Sequence, residues 1–460
     1  MPVRLFLIFI ILSLSVRVKA QIDTPSVFVK TYSPAQLRQD IKYVRDTLTQ
    51  KHPNLYWYIS KHKLNKKFDS LEKAIQAPLT AVQFKYKLQC VLSSIGDGHI
   101  GLLVNGAKIS PADKIFFYEG ATYPIQKLSY KIISGKIYVT GNRSENNAIE
   151  PGAEILSING QLAPQLLAQL QKAVATDGYN QTFKNETLNM PAYLAQTYCF
   201  INGLQEKLTF TIKQNDSIKT CVLSISARRV TVPDTTKTII NTTTISGSSN
   251  PAYIKVSQFN NSEDPFITFF GMVKNQGVKC LMLDLRDNTG GSYIQMVKLF
   301  AHLINKPTFF SNLTLGNKLS NEQRTITKEL ELGCKTPIMP DSNHFDGKLY
   351  VMVNGLTFSA AALLTANLQA TNRGIIIGEE TGGGRNGCIG GVYHEAFLPN
   401  SGLLFRFGLD QFKIPNQVKQ QGRGVMPDVP ISYTIDDYLA NNDLETEWIK
   451  NDIKVKGILK

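Results

Sequence analysis

The chain has 460 residues, enough for several compact units. Its 43% hydrophobic and 19% charged content is that of a soluble globular protein, which excludes a fibrous or wholly disordered chain. The formal charge is +14, yet Lys and Arg are scattered rather than gathered into a stripe with aromatics, so nucleic acid is not an expected partner.

The first segment reads as a leader. Arg4 precedes the apolar run 5–14, and Val18-Lys19-Ala20 follows. A short positive start, an apolar stretch too short to span a bilayer, and small residues at a cut site describe a secretory signal peptide over 1–20, cut before Gln21. The other reading is an uncleaved anchor. The mature chain is expected to be periplasmic or extracellular, with no membrane span, and no Cys follows the cut to carry a lipid. Export permits disulfides. The six cysteines, at 90, 199, 221, 280, 334 and 388, are widely spaced without a CxxC pair. No zinc or other metal site is therefore expected, and nothing in the sequence asks for a cofactor. Cys199 with Cys221 is the first disulfide to consider, and the others fit as small buried apolar residues.

Residues 21–114 form a helical region. Ser33-Pro34-Ala35-Gln36 is a capping box with Pro at the first helical position, and Leu37, Ile41, Val44 and Leu48 recur at helical spacing. Thr80-Ala81-Val82-Gln83 repeats the signal ahead of Phe84, Leu88, Val91, Leu92 and Ile95. The helix ends at Gly96, where Gly-Asp-Gly-His begins.

Residues 115–230 turn to β-structure, with strands at 136–139 and 208–212. Between them, Pro151-Gly152 feeds an apolar strand that closes on Asn159-Gly160, a strong turn signal. The Thr- and Ser-rich stretch 231–250 reads as a linker. Over 251–434 strands at 252–256, 278–285, 349–353 and 374–378 alternate with helices, which argues for a layered α/β core. Residues 435–460 form a tail with a helix over 435–450.

Three elements carry chemistry. A buried strand ends at Asn354-Gly355, and Ser359 opens an Ala-rich helix. That geometry can place a hydroxyl at a helix N-terminus, with the N–H of Ala360 free to hold an oxyanion. A plain N-cap serine reads the same way. Asp284-Leu285-Arg286-Asp287-Asn288-Thr289-Gly290-Gly291 sets paired glycines after a strand, where either N–H can supply a second oxyanion donor, although a tight turn would look alike. Gly96-Asp97-Gly98-His99 presents a histidine suited to general base work, or an ordinary loop histidine.

Together these motifs, with Gly-Glu-Glu-Thr-Gly-Gly-Gly at 378–384 and Gly-Arg-Gly-Val-Met-Pro-Asp at 422–428, resemble the C-terminal-processing and tricorn-core serine peptidases, peptidase family S41, in the family's order over about 33–434. The resemblance implies a crotonase/ClpP-like ββα core with a PDZ-like module and a helical N-terminal region. It also implies peptide-bond cleavage through an acyl-enzyme on Ser359. The stretch 149–160 is similar to the carboxylate-binding end of PDZ domains, which implies capture of a polypeptide's free C-terminus. The Ser/Lys branch of the family places a Lys in the loop after 378–381. Here that loop holds Arg385, which accepts no proton, and no Lys occurs from 360 to 412. The tricorn-like branch uses a His, matched by His99. Its preceding Ser is Gly98 here, and its late Glu has no counterpart among Gln420, Gln421 and Arg423. Asp97, Glu379 and Glu380 are possible orienters, and His394 is a rival base. The alternative function is a catalytically inactive protein on the same fold that binds a peptide or an apolar ligand.

Overall fold

A computed structural model describes residues 26–104, 110, 113, 122–226, 240–243 (backbone), 251–260, 264, 266–315 and 330–458. The leader and most of the linker lie outside the described residues.

Three helices open the chain. Pro34–Lys51 starts on Ser33, whose hydroxyl accepts from Gln36 N–H while the Gln36 side chain accepts from Ser33 N–H. It stops two residues before Pro53, as the restricted backbone ahead of proline requires. Ala81–Ser93 starts on the same reciprocal cap at Thr80 and Gln83. Lys61–Ala74, capped by Ser60, lies between them. Leu37, Ile41, Val44, Leu48, Phe84, Leu88 and Leu92 are fully buried, and they share one core with Phe405 and Phe407 from the far end of the chain. Each such side chain contributes about 1.5–3 kcal/mol of burial. The helical region is thereby fastened to the α/β part.

The second unit is an antiparallel sheet in the order Leu128–Ile133, Lys136–Asn142, Glu154–Ile158, Lys207–Gln214, Ser217–Ser224. Asn159 and Gly160, both at positive φ, make the tight turn between Glu154–Ile158 and Gln161–Leu162. Helices Ala163–Gln171, Thr182–Leu188 and Pro191–Asn202 cover one face. Cys199 and Cys221 both sit in this core, but as free thiols, as are the other four cysteines. The pair considered first is therefore not bridged. Burial pushes the Cys199 thiol up to about 12, the state of a packed apolar residue rather than a reactive one.

The third unit is a six-stranded sheet. Strand 240–243 runs antiparallel to Ala252–Val256, and Cys280–Asp284, Lys348–Val353, Ile375–Gly378 and Val429–Pro430 continue in parallel. Strand residues alternate between two cores, as a period of two requires. Leu281, Leu283, Val351 and Val353 meet helices Phe266–Asn275, Tyr293–Leu303 and Ala360–Ala370, whereas Cys280, Met282, Tyr350 and Met352 meet Ile449 and Ile453 of the last helix. The tail is two helices rather than one: Ile435–Ala440 stops at Asn441 in the left-handed region, and Asp443 caps Leu444–Lys456. Arg286 bonds Asp443 and Glu445 and so ties this last helix to the loop after Cys280–Asp284.

A hairpin, Gly387–Phe397 with Leu404–Lys413, stands beside the sheet. On its outer side Leu404–Lys413 pairs antiparallel with two three-residue strands, Gly101–Leu103 at its start and Asn312–Thr314 at its end. The first of these pairings carries the Gly-Asp-Gly-His segment to the edge of the α/β core.

Candidate active site

Ser359 sits on a strained elbow. The strand Lys348–Val353 ends in a turn held by side chains: Thr357 Oγ1 donates to Leu285 O (2.9 Å) and accepts from Asn354 N–H (3.0 Å). Asn354 and Asp287 exchange two hydrogen bonds, 3.0 and 2.8 Å, which clasp this turn to the Gly-rich loop. Phe358 N–H donates to Asn288 O at 2.9 Å. The chain then passes through Ser359 at φ 52° and ψ −124° into the helix Ala360–Ala370. A non-glycine residue there is costly and is held only by surroundings that over-determine it.

The Ser359 hydroxyl does not cap that helix. Its Oγ lies 3.0 Å from Nε2 of His99, which comes from 260 positions earlier. The imidazole is held from several sides. It stacks on Phe358 with centroids 4.7 Å apart, and its backbone N–H donates to Asp97 Oδ1 at 2.8 Å. Gln89 Oε1 accepts Leu102 N–H at 2.9 Å and so fixes the strand that follows. A Cβ at position 98 would stand 2.6 Å from Phe358 Cζ, which is why Gly98 precedes this histidine.

Behind the imidazole lies a buried polar cluster. Asp97 Oδ1 is 3.9 Å from His99 Nδ1, and Asp97 Oδ2 is 3.1 Å from His52 Nε2. The Asp177 carboxylate accepts N–H bonds from Gly98 (2.9 Å) and Gly384 (3.0 Å), joining the three parts of the molecule under the site. Burial, with the Asp97 charge close by, raises its pKa to about 7. His52 and Asp177 had no signal in the sequence, because they reach the cluster only through tertiary packing. Asp97, His99 and Asp177 bring possible ligand atoms within 4.8 Å of one another, so that they are also the described residues whose composition would suit a metal ion.

Residues 250–431 match the family model described as peptidase family S41. That stretch is the part of the chain that is similar to peptidase family S41. It is 26% identical over 186 residues to carboxyl-terminal-processing peptidase 1, chloroplastic, of Arabidopsis thaliana, a stretch covering 40% of this chain and 34% of that protein. It is also 26% identical over 189 residues to the carboxyl-terminal-processing protease of Picosynechococcus sp. (strain ATCC 27264 / PCC 7002 / PR-6), covering 40% and 41%. The chain thus spans less than half the length of the curated relatives it matches. Among solved structures, mature CPAF complexed with lactacystin superposes with a TM-score of 0.65 at 14% identity, over 93% of this chain and 99% of that one. At that identity the likeness is one of fold.

The remaining sequence candidates fall in different places. His394 lies on Gly387–Phe397, 3.4 Å from Lys51 Nζ through Nδ1, and packs on Phe407. It belongs to the N-terminal packing, whereas a Cβ built at Gly390 of the same strand would stand 3.5 Å from His99 Nε2. Glu380 pairs with Arg423 at 2.6 Å, and Glu379 lines a separate cleft with Glu186 and Glu445. Arg385 is turned to Gln369 and Asn416. Of the possible orienters only Asp97 adjoins the imidazole. The two glycines also separate. Gly290 N–H donates to Asn288 Oδ1 at 2.8 Å, and a Cβ there would stand 2.7 Å from Ser359 Cβ. The N–H groups of Gly291 and Ala360 have no acceptor among the described residues. Gly291, Ala360, Ser359 and His99 line one cleft of about 450 Å³.

Burial lowers the His99 pKa from its ordinary 6.5; Arg406 lowers it further, and Asp97 opposes both. The imidazole is then neutral and able to accept a proton at pH 7, and that ability is lost only as pH falls through a midpoint below 6.5. The acid limb of kcat/KM is expected below 6.5, and Asp97→Asn is expected to move it lower. A limb centred above 7 in the unsubstituted protein would contradict this electrostatic reading.

Proposed function

We propose that the chain is an exported serine endopeptidase that cleaves polypeptides through an acyl-enzyme on Ser359. The observation that carries the reading is the 3.0 Å contact between Ser359 Oγ and His99 Nε2, made by a hydroxyl released from capping its own helix. Ser359 Oγ attacks the scissile carbonyl and passes its proton to His99 Nε2. The N–H groups of Ala360 and Gly291 hold the developing oxyanion, with the positive end of the helix Ala360–Ala370 behind Ala360. The Asp97 charge, 3.9 Å from Nδ1, stabilises the imidazolium that forms. His99 returns the proton to the leaving amine. A water then attacks the acyl carbonyl, again with His99 as base, and Ser359 is restored.

The antiparallel unit from residue 122 to 226 is proposed to be PDZ-like and the core crotonase-like, and the leader over 1–20 supports export. Among the described residues no helix is long and apolar enough to cross a membrane. A PDZ-like unit that captures a terminal carboxylate predicts slower cleavage of a long unstructured polypeptide once its C-terminus is amidated. Equal rates would remove tail recognition and leave the peptidase. The reading as a whole is tested by incubating the protein with an unfolded polypeptide and sequencing the product termini. New internal termini are expected. An intact substrate that is nevertheless bound tightly would favour the non-catalytic binding protein.

A further inference from the structure

We propose that the cleft beside Ser359 holds a carboxylate subsite built on Arg406, on the leaving-group side of the scissile bond. This rests on the peptidase reading. Arg406 lies on Leu404–Lys413 opposite Gly101, two residues beyond His99. Its guanidinium carbon is 3.7 Å from the centroid of the Tyr393 ring, and that ring is 6.3 Å from the imidazole. A guanidinium supported on an aromatic face is ordered before a ligand arrives.

The charge balance of the cleft points to an anion. Among the described residues that line it, Arg406 is the one permanent charge and none is a carboxylate. Arg406 has a partner outside, Glu395, with Nε 3.3 Å from Oε1 but no aligned hydrogen bond. The two side chains are 39% and 49% exposed, so the pair is weak. The planar fork carries five donors, more than Glu395 and the Tyr393 hydroxyl take up.

The side of the bond follows from the chemistry. Ile294, Leu330 and Leu363 give an apolar flank beside Gly291 and Ala360. His99 must reach the departing nitrogen, so the residue after the scissile bond lies against His99 and its neighbours Tyr393 and Arg406. A carboxylate there can be an Asp or Glu side chain, or the free terminus of a short leaving peptide.

Four matched peptides separate these sources. Two are amidated and carry Glu or Gln directly after the scissile bond. Two carry a neutral residue there and end one residue later, as a free acid or an amide. The carboxylate form of at least one pair is expected to have kcat/KM at least about tenfold higher. Arg406→Gln is expected to bring that ratio to about one, and because a ratio is read, any change in the base cancels. Preference in the first pair assigns a side chain, and in the second a terminus. Equal rates within both pairs, or a preference that survives Arg406→Gln, overturns the subsite. Hydrolysis of none of the four would count against the peptidase reading instead. Binding to Ser359→Ala protein then decides the subsite, with equal affinities overturning it.

Discussion

Ser359→Ala is expected to lower kcat by about 10⁵-fold or more while leaving the fold and Tm nearly unchanged, since loss of a nucleophile in Ser–His enzymes typically has that scale. The stability half of this prediction follows from the elbow. The Oγ makes no capping bond that Ala would forfeit, and its one hydrogen bond among the described residues is with the imidazole. Ala at φ 52° carries the same backbone strain as Ser, held by the same Thr357, Asn354 and Asp287 bonds. A capping serine behaves in the opposite way: its loss costs about 0.5–2 kcal/mol of stability and no activity. Hydrolysis rates and thermal unfolding measured on one preparation separate the two roles. Full activity with a lowered Tm would return Ser359 to the status of a cap.

His99→Gln is expected to lose about 10²–10⁴ in rate, the usual worth of a general base. Gln keeps a polar group near Ser359 and much of the packing against Phe358, yet accepts no proton at neutral pH. His99→Ala is expected to lose as much in rate and to be less stable, because it opens a cavity beside Phe358. Comparing both with His394→Ala isolates the base. His394 is packed among Lys51, Phe405 and Phe407, so its loss should act on stability rather than on the acid limb. Unchanged rates in His99→Gln, with a large loss in His394→Ala, would exchange the two assignments.

The sequence made these groups legible to different degrees. Local signals were strong where one segment decides the outcome. The reciprocal caps at Ser33 and Thr80, and the apolar runs inside Cys280–Asp284 and Lys348–Val353, needed no partner to be read. The hairpin Gly387–Phe397 with Leu404–Lys413 was missed. Gly387, Gly390 and Gly391 break its first strand, and the second is buried on both faces, so neither shows a period of two. The helix Pro191–Asn202 is likewise apolar on most of its surface, because it is sandwiched in the β-rich unit. Ser359 was ambiguous from its motif, since a cap and a nucleophile share one position. What the motif could not show is the 3.0 Å approach to His99, which depends on the pairing of Gly101–Leu103 with Leu404–Lys413. The choice between Gly290 and Gly291 was equally open, because it turns on where Asn288 Oδ1 points. His52 and Asp177 lie 45 and 79 positions from the residues they bond, beyond any spacing rule.

The most direct test of the Ser359–His99 contact is the site and rate of modification by a fluorophosphonate, located by mass spectrometry. Rapid labelling at Ser359 is expected in the unsubstituted chain and in His394→Ala, with labelling slowed at least about a hundredfold in His99→Gln. Modification of a different serine, or labelling of Ser359 at the same rate once the imidazole is gone, would contradict a hydroxyl activated by His99.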